Sequence, residues 1–209
     1  MDALKPIAES LERGDDDRVH ALVSEAIAAG LPAGDILNKG LLAGMAVVGE
    51  QFRLREIFLP DVLLAARAMY AGLDLLKPLL ARDGVPSAGT VVIGSVQGNL
   101  HDIGQNLVGI MLKGAGFEVV DLGNDVAAAK FVDTAVASGA PVIGMSALLT
   151  TTMSVMQEVV DLVKARGLAV RTIVGGAPVS ESFAKAIGAD AYGFDAANAV
   201  ERVKALMHA

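Results

Sequence analysis

Apolar residues recur three and four positions apart through the first part of the chain, from residue 2 to about residue 82. This spacing predicts amphipathic helices. An initial helix is predicted at residues 2–13, and Asp15–Asp17 favour the start of a second helix that Gly30 ends. Pro32 and Pro60 each suit the first turn of a further long helix. The pattern as a whole predicts a four-helix bundle.

Beyond residue 89 the pattern changes to short apolar runs, rich in β-branched residues, that alternate with segments of helical length. This alternation predicts a parallel sheet with helices on both faces, which is an α/β fold. The five runs predicted as strands are Thr90–Ser95, Phe117–Leu122, Pro141–Ser146, Arg171–Val174 and Ala189–Tyr192.

The segment 82–89 between the two patterns collects turn-forming residues and has no periodicity, a composition typical of linkers. We therefore predict a helical domain over residues 1–84, a linker over 85–89 and a sheet domain over 90–209.

Each predicted strand is followed by a turn that belongs at the carboxyl edge of the sheet. These turns span residues 97–104, 123–126, 147–151, 175–178 and 193–195. In a five-stranded sheet of order 2-1-3-4-5, ligands bind at the carboxyl edge between strands one and three, where the strand order reverses. His101 and Ser146 are predicted to face each other there.

Composition excludes several classes of function. Lys and Arg number 17 against 24 Asp and Glu, a net charge of −7, and without basic runs or aromatic platforms nucleic acid is not an expected partner. The longest nearly apolar stretch, Leu41–Gly49, is shorter than the roughly 20 residues of a membrane span. The first residues lack an export signal and the chain has no cysteine, so we predict a cytoplasmic protein without disulfides or a membrane partner.

The segment Gly98–Gly104 contains the one histidine, His101, that the pattern places in the interior; His20 and His208 lie beside charged residues or near the C-terminus. A zinc site built by protein alone requires about four ligands, and this chain has three histidines and no cysteine. A macrocyclic metal cofactor requires only an axial ligand from the protein. A single His-x-x-Gly motif is also compatible with a buried histidine bonded to the backbone.

Further motifs follow in order along the chain: Val48–Phe52 and Phe58–Met69 in the helical half, then Asn99–Gly104, Ser146–Leu148 and Gly175–Gly176. Together they resemble the helical-cap motif and the Asp-x-His-x-x-Gly, Ser-x-Leu and Gly-Gly motifs of the cobalamin-binding corrinoid proteins that carry methyl groups for methyltransferases. The resemblance covers nearly the whole chain. It implies a helical cap domain followed by a flavodoxin-like (Rossmann-like) cobalamin-binding domain.

The resemblance implies that His101 is the lower axial ligand to the cobalt of cobalamin, whose own benzimidazole arm is then detached. The cofactor would be methylcobalamin or Co(I) cobalamin, with no metal site formed by protein alone. The family has a carboxylate two residues before this histidine, where this chain has Asn99. An amide accepts a hydrogen bond from imidazole but does not titrate. Asp102 could compensate or could cap the next helix.

The resemblance assigns the Ser146 hydroxyl to the hydrogen-bond chain at the histidine, and Leu148 and Thr150 to the slot for the detached arm. Phe58 matches a lid residue over the upper corrin face. The other implied cofactor-binding residues are Gly98, Leu100, Asp102, Gly104, Gly175, Gly176 and Ala177. Simpler structural interpretations are a helix N-cap for Ser146, core packing for Leu148 and tight turns for the glycines.

The implied function is that of a methyl-carrier subunit without catalytic residues of its own. Its expected partners are a substrate-specific methyltransferase, a second methyltransferase that passes the methyl group to an acceptor, and a reductive activator. Methanol, a methylamine, a betaine or an aryl methyl ether could be the donor. The main alternative is the cobalamin-binding subunit of an adenosylcobalamin-dependent carbon-skeleton mutase, although the helical cap argues against it. A cobalamin-dependent sensor would need an output element that the sequence does not display.

Overall fold

Two helices of the N-terminal half begin at residues suited to helix starts. In the computed structural model, which describes residues 4–100 and 103–208, Asp15 Oδ1 accepts a hydrogen bond from the Arg18 amide at 3.0 Å. The second helix therefore starts as the acidic run predicted. Pro60 lies in the first turn of the last helix of this half, where proline has no amide hydrogen to leave unpaired.

The helical elements are α1 (Lys5–Glu12), α2 (Asp16–Ala28), α3 (Ala33–Asp35), a π-helix (Ile36–Leu42), α4 (Ala43–Arg53) and α5 (Leu59–Asp83). The π-helix connects α3 and α4 without a break, so these three elements form the third of the four predicted helices. Apolar periodicity did not reveal the π-helix, because it differs from an α-helix in its hydrogen-bond partners more than in its apolar pattern.

Five parallel strands form one sheet in the order β2-β1-β3-β4-β5. They are β1 (Thr90–Ser95), β2 (Glu118–Asp121), β3 (Val142–Ser146), β4 (Arg171–Gly175) and β5 (Ala191–Gly193). The helices of this half are α6 (Ile103–Gly114), α7 (Ala128–Ser138), α8 (Ser154–Ala165), α9 (Glu181–Ile187) and α10 (Ala196–Met207), with a 3-10 turn at Thr150–Thr152. The predicted fold class and strand order are both confirmed.

The fifth strand starts later than predicted. Asp190, which was placed inside the strand, accepts hydrogen bonds through Oδ2 from the backbone amide and the hydroxyl of Thr172, at 2.7 and 3.1 Å. The Asp190 amide also donates to the Thr172 carbonyl at 2.9 Å, but the Thr172 amide bonds this carboxylate instead of a backbone carbonyl, so the regular pairing of the two strands begins only at Ala191.

Buried apolar side chains fill the sheet half: Val92, Val132, Phe131, Ile143, Met156 and Val174 are all fully buried. The chain divides into two units, Met1–Pro86 with Gly114–Gly116 and Ser87–Lys113 with Phe117–Ala209. In the part of the chain that the structure describes, no helix combines the length and hydropathy needed to span a bilayer.

Candidate functional site

The carboxyl ends of β1 and β3 meet at the point where the strand order reverses. Ser95 and Ser146 occupy paired positions there, Ser95 fully buried and Ser146 partly buried. The Val96 amide continues the pairing by donating to the Ser146 carbonyl at 3.0 Å. Ser146 is followed by the 3-10 turn and by a helix that starts only at Ser154. The interpretation of Ser146 as a helix N-cap is therefore wrong.

The loop after β1 turns sharply at Gly98, whose φ of 82° lies in the left-handed region that favours glycine. The next residue, Asn99, donates its backbone amide to the Val96 carbonyl at 3.0 Å and is 1% exposed. Leu100 is 70% exposed. His101 and Asp102 lie outside the described residues, and α6 starts at Ile103, so Gly104 lies in its first turn.

The turn after β2 holds the start of this loop through backbone hydrogen bonds. The Ser95 amide donates to the Gly123 carbonyl at 2.9 Å, and the Val126 amide donates to the Ser95 carbonyl at 3.0 Å. The Gln97 amide then donates to the Val126 carbonyl at 2.9 Å. These bonds extend the pairing of β1 with the β2 side of the sheet past the ends of both strands.

Asp125, in the same turn, contacts the loop further along. Its Oδ1 accepts a hydrogen bond from the Gly98 amide at 2.8 Å, and its own amide donates to the Asn99 carbonyl at 3.1 Å. Asn124 Nδ2 lies 3.5 Å from the Leu100 carbonyl oxygen. In the sequence Asp125 is recognisable only as part of a predicted turn, because its hydrogen-bond partners are distant in the chain.

The loop after β3 exposes apolar side chains, with Leu148 at 40% and Leu149 at 48% exposure. This exposure contradicts the interpretation of Leu148 as core packing. Thr150, also exposed, begins the 3-10 turn, in which Thr152 Oγ1 donates to the Leu149 carbonyl at 2.9 Å. A Cβ atom on Gly98 would lie 3.1 Å from Thr152 Cγ2. The loops after β1 and β3 therefore lie in contact.

The glycines after β4 allow backbone segments to approach one another. The Ala147 amide donates to the Gly175 carbonyl at 3.2 Å. A Cβ atom on Gly176, whose φ is 117°, would collide with the Ala147 carbonyl, and one on Gly175 would lie 2.9 Å from the Gly193 carbonyl oxygen. Packing within the chain therefore accounts for both glycines. Ala177, which follows them, is exposed.

Large apolar side chains are left exposed along this edge of the sheet. We call them the apolar rim: Leu100, Ile103, Leu148, Leu149 and Phe194, each at least 40% exposed. Exposed apolar groups gathered at a ligand-binding edge are typical of a site for a large, partly apolar ligand. Phe194 was missed in the sequence, where it appeared only as a member of a predicted turn. In the described ranges, no three His, Cys, Asp or Glu side chains form a cluster that could hold a bare metal ion.

Phe58 belongs to the helical unit, where it directly precedes α5 and is 67% exposed. Its backbone amide donates to Asp61 Oδ2 at 2.9 Å, and the Asp61 and Val62 amides donate to its carbonyl oxygen at 3.1 and 3.3 Å. The start of α5 thus fixes the backbone at Phe58 while the ring remains in solvent.

Comparison with known proteins assigns both halves. Two family models, both described as a B12 binding domain, match residues 89–204 and residues 3–77. Trimethylamine corrinoid protein 1 of Methanosarcina mazei is 44% identical over 92% of this chain and 91% of its own length. A corrinoid protein of Desulfitobacterium hafniense is 41% identical over 96% of this chain and 95% of its own length.

Solved structures agree with the sequence relatives. The methanol:cobalamin methyltransferase complex of Methanosarcina barkeri matches 99% of this chain and 80% of the matched chain, with a TM-score of 0.89 and 33% identity. A cobalamin-binding protein from Desulfitobacterium hafniense matches 97% of this chain and 98% of its own, with a TM-score of 0.79 and 33% identity.

Proposed function

Because the chain belongs to the cobalamin-binding corrinoid proteins of methyltransferase systems, we propose that it carries a methyl group between two partner methyltransferases. A substrate-specific methyltransferase loads the carrier, a second one unloads it, and a reductive activator returns inactivated carrier to the cycle. The cobalt of the bound cofactor supplies the atom that takes up and releases the methyl group. The residues of this chain bind the cofactor, orient it and shield it.

The observation that carries this proposal is the fixed loop directly before His101. Asn99 is buried at the strand-order reversal, and backbone hydrogen bonds from the β2 turn hold the loop from Ser95 to Asn99. This arrangement supports His101 as the lower axial ligand, since an axial ligand has to be presented from a rigid position. The Asn99 side chain is then the proposed acceptor for the second imidazole nitrogen, which fixes the tautomer.

The residues present fit a corrin ring. A corrin ring is broad, with a hydrocarbon framework and methyl groups beside its polar amide side chains, and the apolar rim offers exposed hydrocarbon from the loops after β1, β3 and β5. Leu148 and Thr150 follow the β3 end of the strand-order reversal, which supports their assignment to the slot for the detached arm. The exposed ring of Phe58 supports its assignment as the lid over the upper face.

The proposed donor is a small methylated compound of the methylamine or methanol kind. Relatives named for trimethylamine and dimethylamine are 41% to 44% identical to this chain, and the matched methanol system is 33% identical. A methylamine is therefore the donor to test first. If the protein bound adenosylcobalamin and its cofactor took up no methyl group from any donor system, the carbon-skeleton mutase subunit would be favoured instead.

The test uses the full-length protein titrated with hydroxocobalamin. The wild-type absorption spectrum is expected to show histidine ligation with a free benzimidazole arm, and His101→Ala is expected to give a water-ligated form. His20→Ala is the matched control, because His20 is exposed on α2 of the other unit. An unchanged spectrum in His101→Ala would remove His101 from the site.

The carrier role is tested separately by incubating reduced, cobalamin-loaded protein with the substrate-specific methyltransferase of a trimethylamine, a dimethylamine or a methanol system, each with its own donor. Formation of the methylated cofactor spectrum with one donor is the expected result. Failure with all of them, in a protein whose spectrum shows histidine ligation, would reject the carrier role while leaving the cofactor site intact.

A further inference from the structure

We infer that Asp125 is a positioning residue for His101: it holds the two residues Gly98 and Asn99 in the one arrangement from which the histidine is presented. The inference rests on the proposed function, because it takes His101 to be the cobalt ligand. Asp125 is not part of the motifs that resemble the family, and it comes from a different strand-to-helix connection, the turn after β2.

Asp125 bonds the loop at two consecutive residues. Its carboxylate accepts from the Gly98 amide at 2.8 Å, and its backbone amide donates to the Asn99 carbonyl at 3.1 Å. Both distances are those of well-formed hydrogen bonds, and the first is assisted by the negative charge of the acceptor. One bond holds the Gly98 amide and the other holds the Asn99 carbonyl, so a displacement at either end of this two-residue segment would stretch at least one of them. The peptide between the two residues is held by the Asn99 amide, which donates to the Val96 carbonyl at 3.0 Å.

The backbone at Asp125 is itself in an uncommon conformation. Its φ is 56°, and among the described residues only Asp125 and Arg55 combine a positive φ with a side chain. Aspartate and asparagine tolerate the left-handed region better than other residues with a Cβ. This conformation lets the amide and the carboxylate of one residue reach the same neighbouring loop, which explains an aspartate at a place where glycine would be the easier choice.

The other backbone hydrogen bonds between the two loops do not reach Gly98 or Asn99. The backbone bonds of Ser95 and Gln97 with Gly123 and Val126 lie on the strand side of Gly98. Beyond them, Asn124 Nδ2 reaches the Leu100 carbonyl oxygen only at 3.5 Å, which is a weak contact. Removal of the Asp125 carboxylate therefore frees the Gly98 amide without undoing the strand pairing.

The consequence concerns the binding of cobalamin rather than the stability of the fold. A side chain that is already held in its binding orientation binds a metal more tightly than one that has to be ordered on binding. Gly98 also lies close to Thr152, since a Cβ atom on Gly98 would be only 3.1 Å from Thr152 Cγ2. A shift at Gly98 would thus disturb both loops that meet at the strand-order reversal.

Two substitutions separate the carboxylate from the backbone. Asp125→Asn keeps an oxygen acceptor and the tolerance for a positive φ, whereas Asp125→Gly keeps only the backbone conformation. In hydroxocobalamin titrations of the full-length protein, Asp125→Gly is expected to bind about five- to tenfold more weakly, the effect of one lost hydrogen bond. It should also show a larger water-ligated fraction at saturation, and Asp125→Asn should stay close to wild type in both respects.

The same substitutions in the His101→Ala background show whether Asp125 acts through the histidine. The loss caused by Asp125→Gly should be absent there, since no histidine remains to be positioned. An equal loss in both backgrounds, or no loss in the wild-type background, would overturn the inference. Failure of the proposed cobalt ligand would be recognised separately, because the His101→Ala single variant would then have the same cobalamin spectrum as the wild type.

Amide hydrogen exchange of the cofactor-free protein provides a readout that does not depend on cobalamin. The Gly98 amide is expected to exchange faster in Asp125→Gly than in Asp125→Asn, while the Ser95 and Val126 amides stay protected in both. Unaltered exchange at Gly98 would show that the carboxylate does not hold the loop, and this too would overturn the inference.

Discussion

Gln105 Nε2 lies 2.5 Å from Asp121 Oδ1, and this bond ties the first half of α6 to the end of β2. The same carboxylate oxygen accepts the Gly123 amide at 2.8 Å. Gln105 is 3% exposed, and its Oε1 makes no hydrogen bond with any atom that the structure describes. One exposed carboxylate thus organises both the helix that follows the histidine and the turn that contains Asp125.

Replacement of Gln105 by glutamate would set two carboxylates against each other. We expect Gln105→Glu to lower the free energy of unfolding at neutral pH by about 1–3 kcal/mol, since the donor is lost and a charge is buried. Repulsion and burial raise the pKa of the new glutamate in the folded state. The loss is therefore small below the unfolded pKa of about 4.3, grows as the pH rises from there to the folded pKa, and is constant above it.

Urea unfolding at acidic and at neutral pH measures this difference. Gln157→Glu is the matched control: Gln157 also donates to an aspartate, Asp161, at 3.0 Å, but this bond is exposed to solvent, and the other contact of its Nε2, with the Ile187 carbonyl, is long at 3.4 Å. Equal losses in the two variants, or a loss in Gln105→Glu that does not change with pH, would contradict the prediction.

Asn99→Asp should restore a carboxylate beside the proposed ligand. A carboxylate makes the imidazole more basic, so histidine ligation of Co(III) should strengthen. The change between ligated and unligated forms should also depend more steeply on pH, because a carboxylate at this position can take up a proton and the wild-type amide does not titrate.

Spectral titration of both proteins from acidic to mildly alkaline pH tests this prediction. Asn106→Asp, at an exposed position on α6, adds the same charge without burying it. Superimposable curves for wild type and Asn99→Asp would show that residue 99 is not the acceptor for the second imidazole nitrogen.

Phe58→Ala tests the lid. Because the ring is exposed, the substitution should change the free energy of unfolding by no more than about 0.5 kcal/mol, and cobalamin should still bind. Oxidation of the reduced protein or photolysis of its methylated form should change in rate. Val136→Ala, an exposed apolar position on α7, is the control, and rates equal to wild type in both variants would leave Phe58 without a shielding role.

Gly176→Ala tests the close approach of β4 to the loop after β3. The new Cβ would collide with the Ala147 carbonyl at a φ of 117°, so we expect a loss of about 2–4 kcal/mol in unfolding free energy. Gly139→Ala introduces a left-handed alanine with no atom within 4 Å of the new Cβ and should lose only about 1 kcal/mol. Chemical denaturation of the two variants compares them, and equal losses would mean that strain at the backbone, not the collision, sets the cost.

The sheet was predicted well because its determinants are local. Runs such as Thr90–Ser95 are apolar, β-branched and bounded by turn residues, and the right-handed connection between parallel strands leaves few possible orders. The Asp15 cap was predicted for the same reason. The π-helix and the late start of β5 were not, because each depends on hydrogen bonds that periodicity does not report.

The site was predicted in part. The family and the cobalamin cofactor, inferred from the motifs, are confirmed by the two B12 binding domain matches and the corrinoid relatives. The motifs also led to Asn99, which the structure buries at the strand-order reversal. They did not lead to Asp125 or Phe194, whose partners or exposure arise only from the tertiary arrangement. The individual site residues, His101 above all, remain predictions for the experiments described here.

The apolar rim has a consequence for the behaviour of the protein in concentrated solution. Leu100, Ile103 and Phe194 are all more than 60% exposed, and exposed apolar groups of this kind promote self-association. If cobalamin binds at this edge, as proposed, saturation with cobalamin should cover part of the rim and raise the solubility of the concentrated protein.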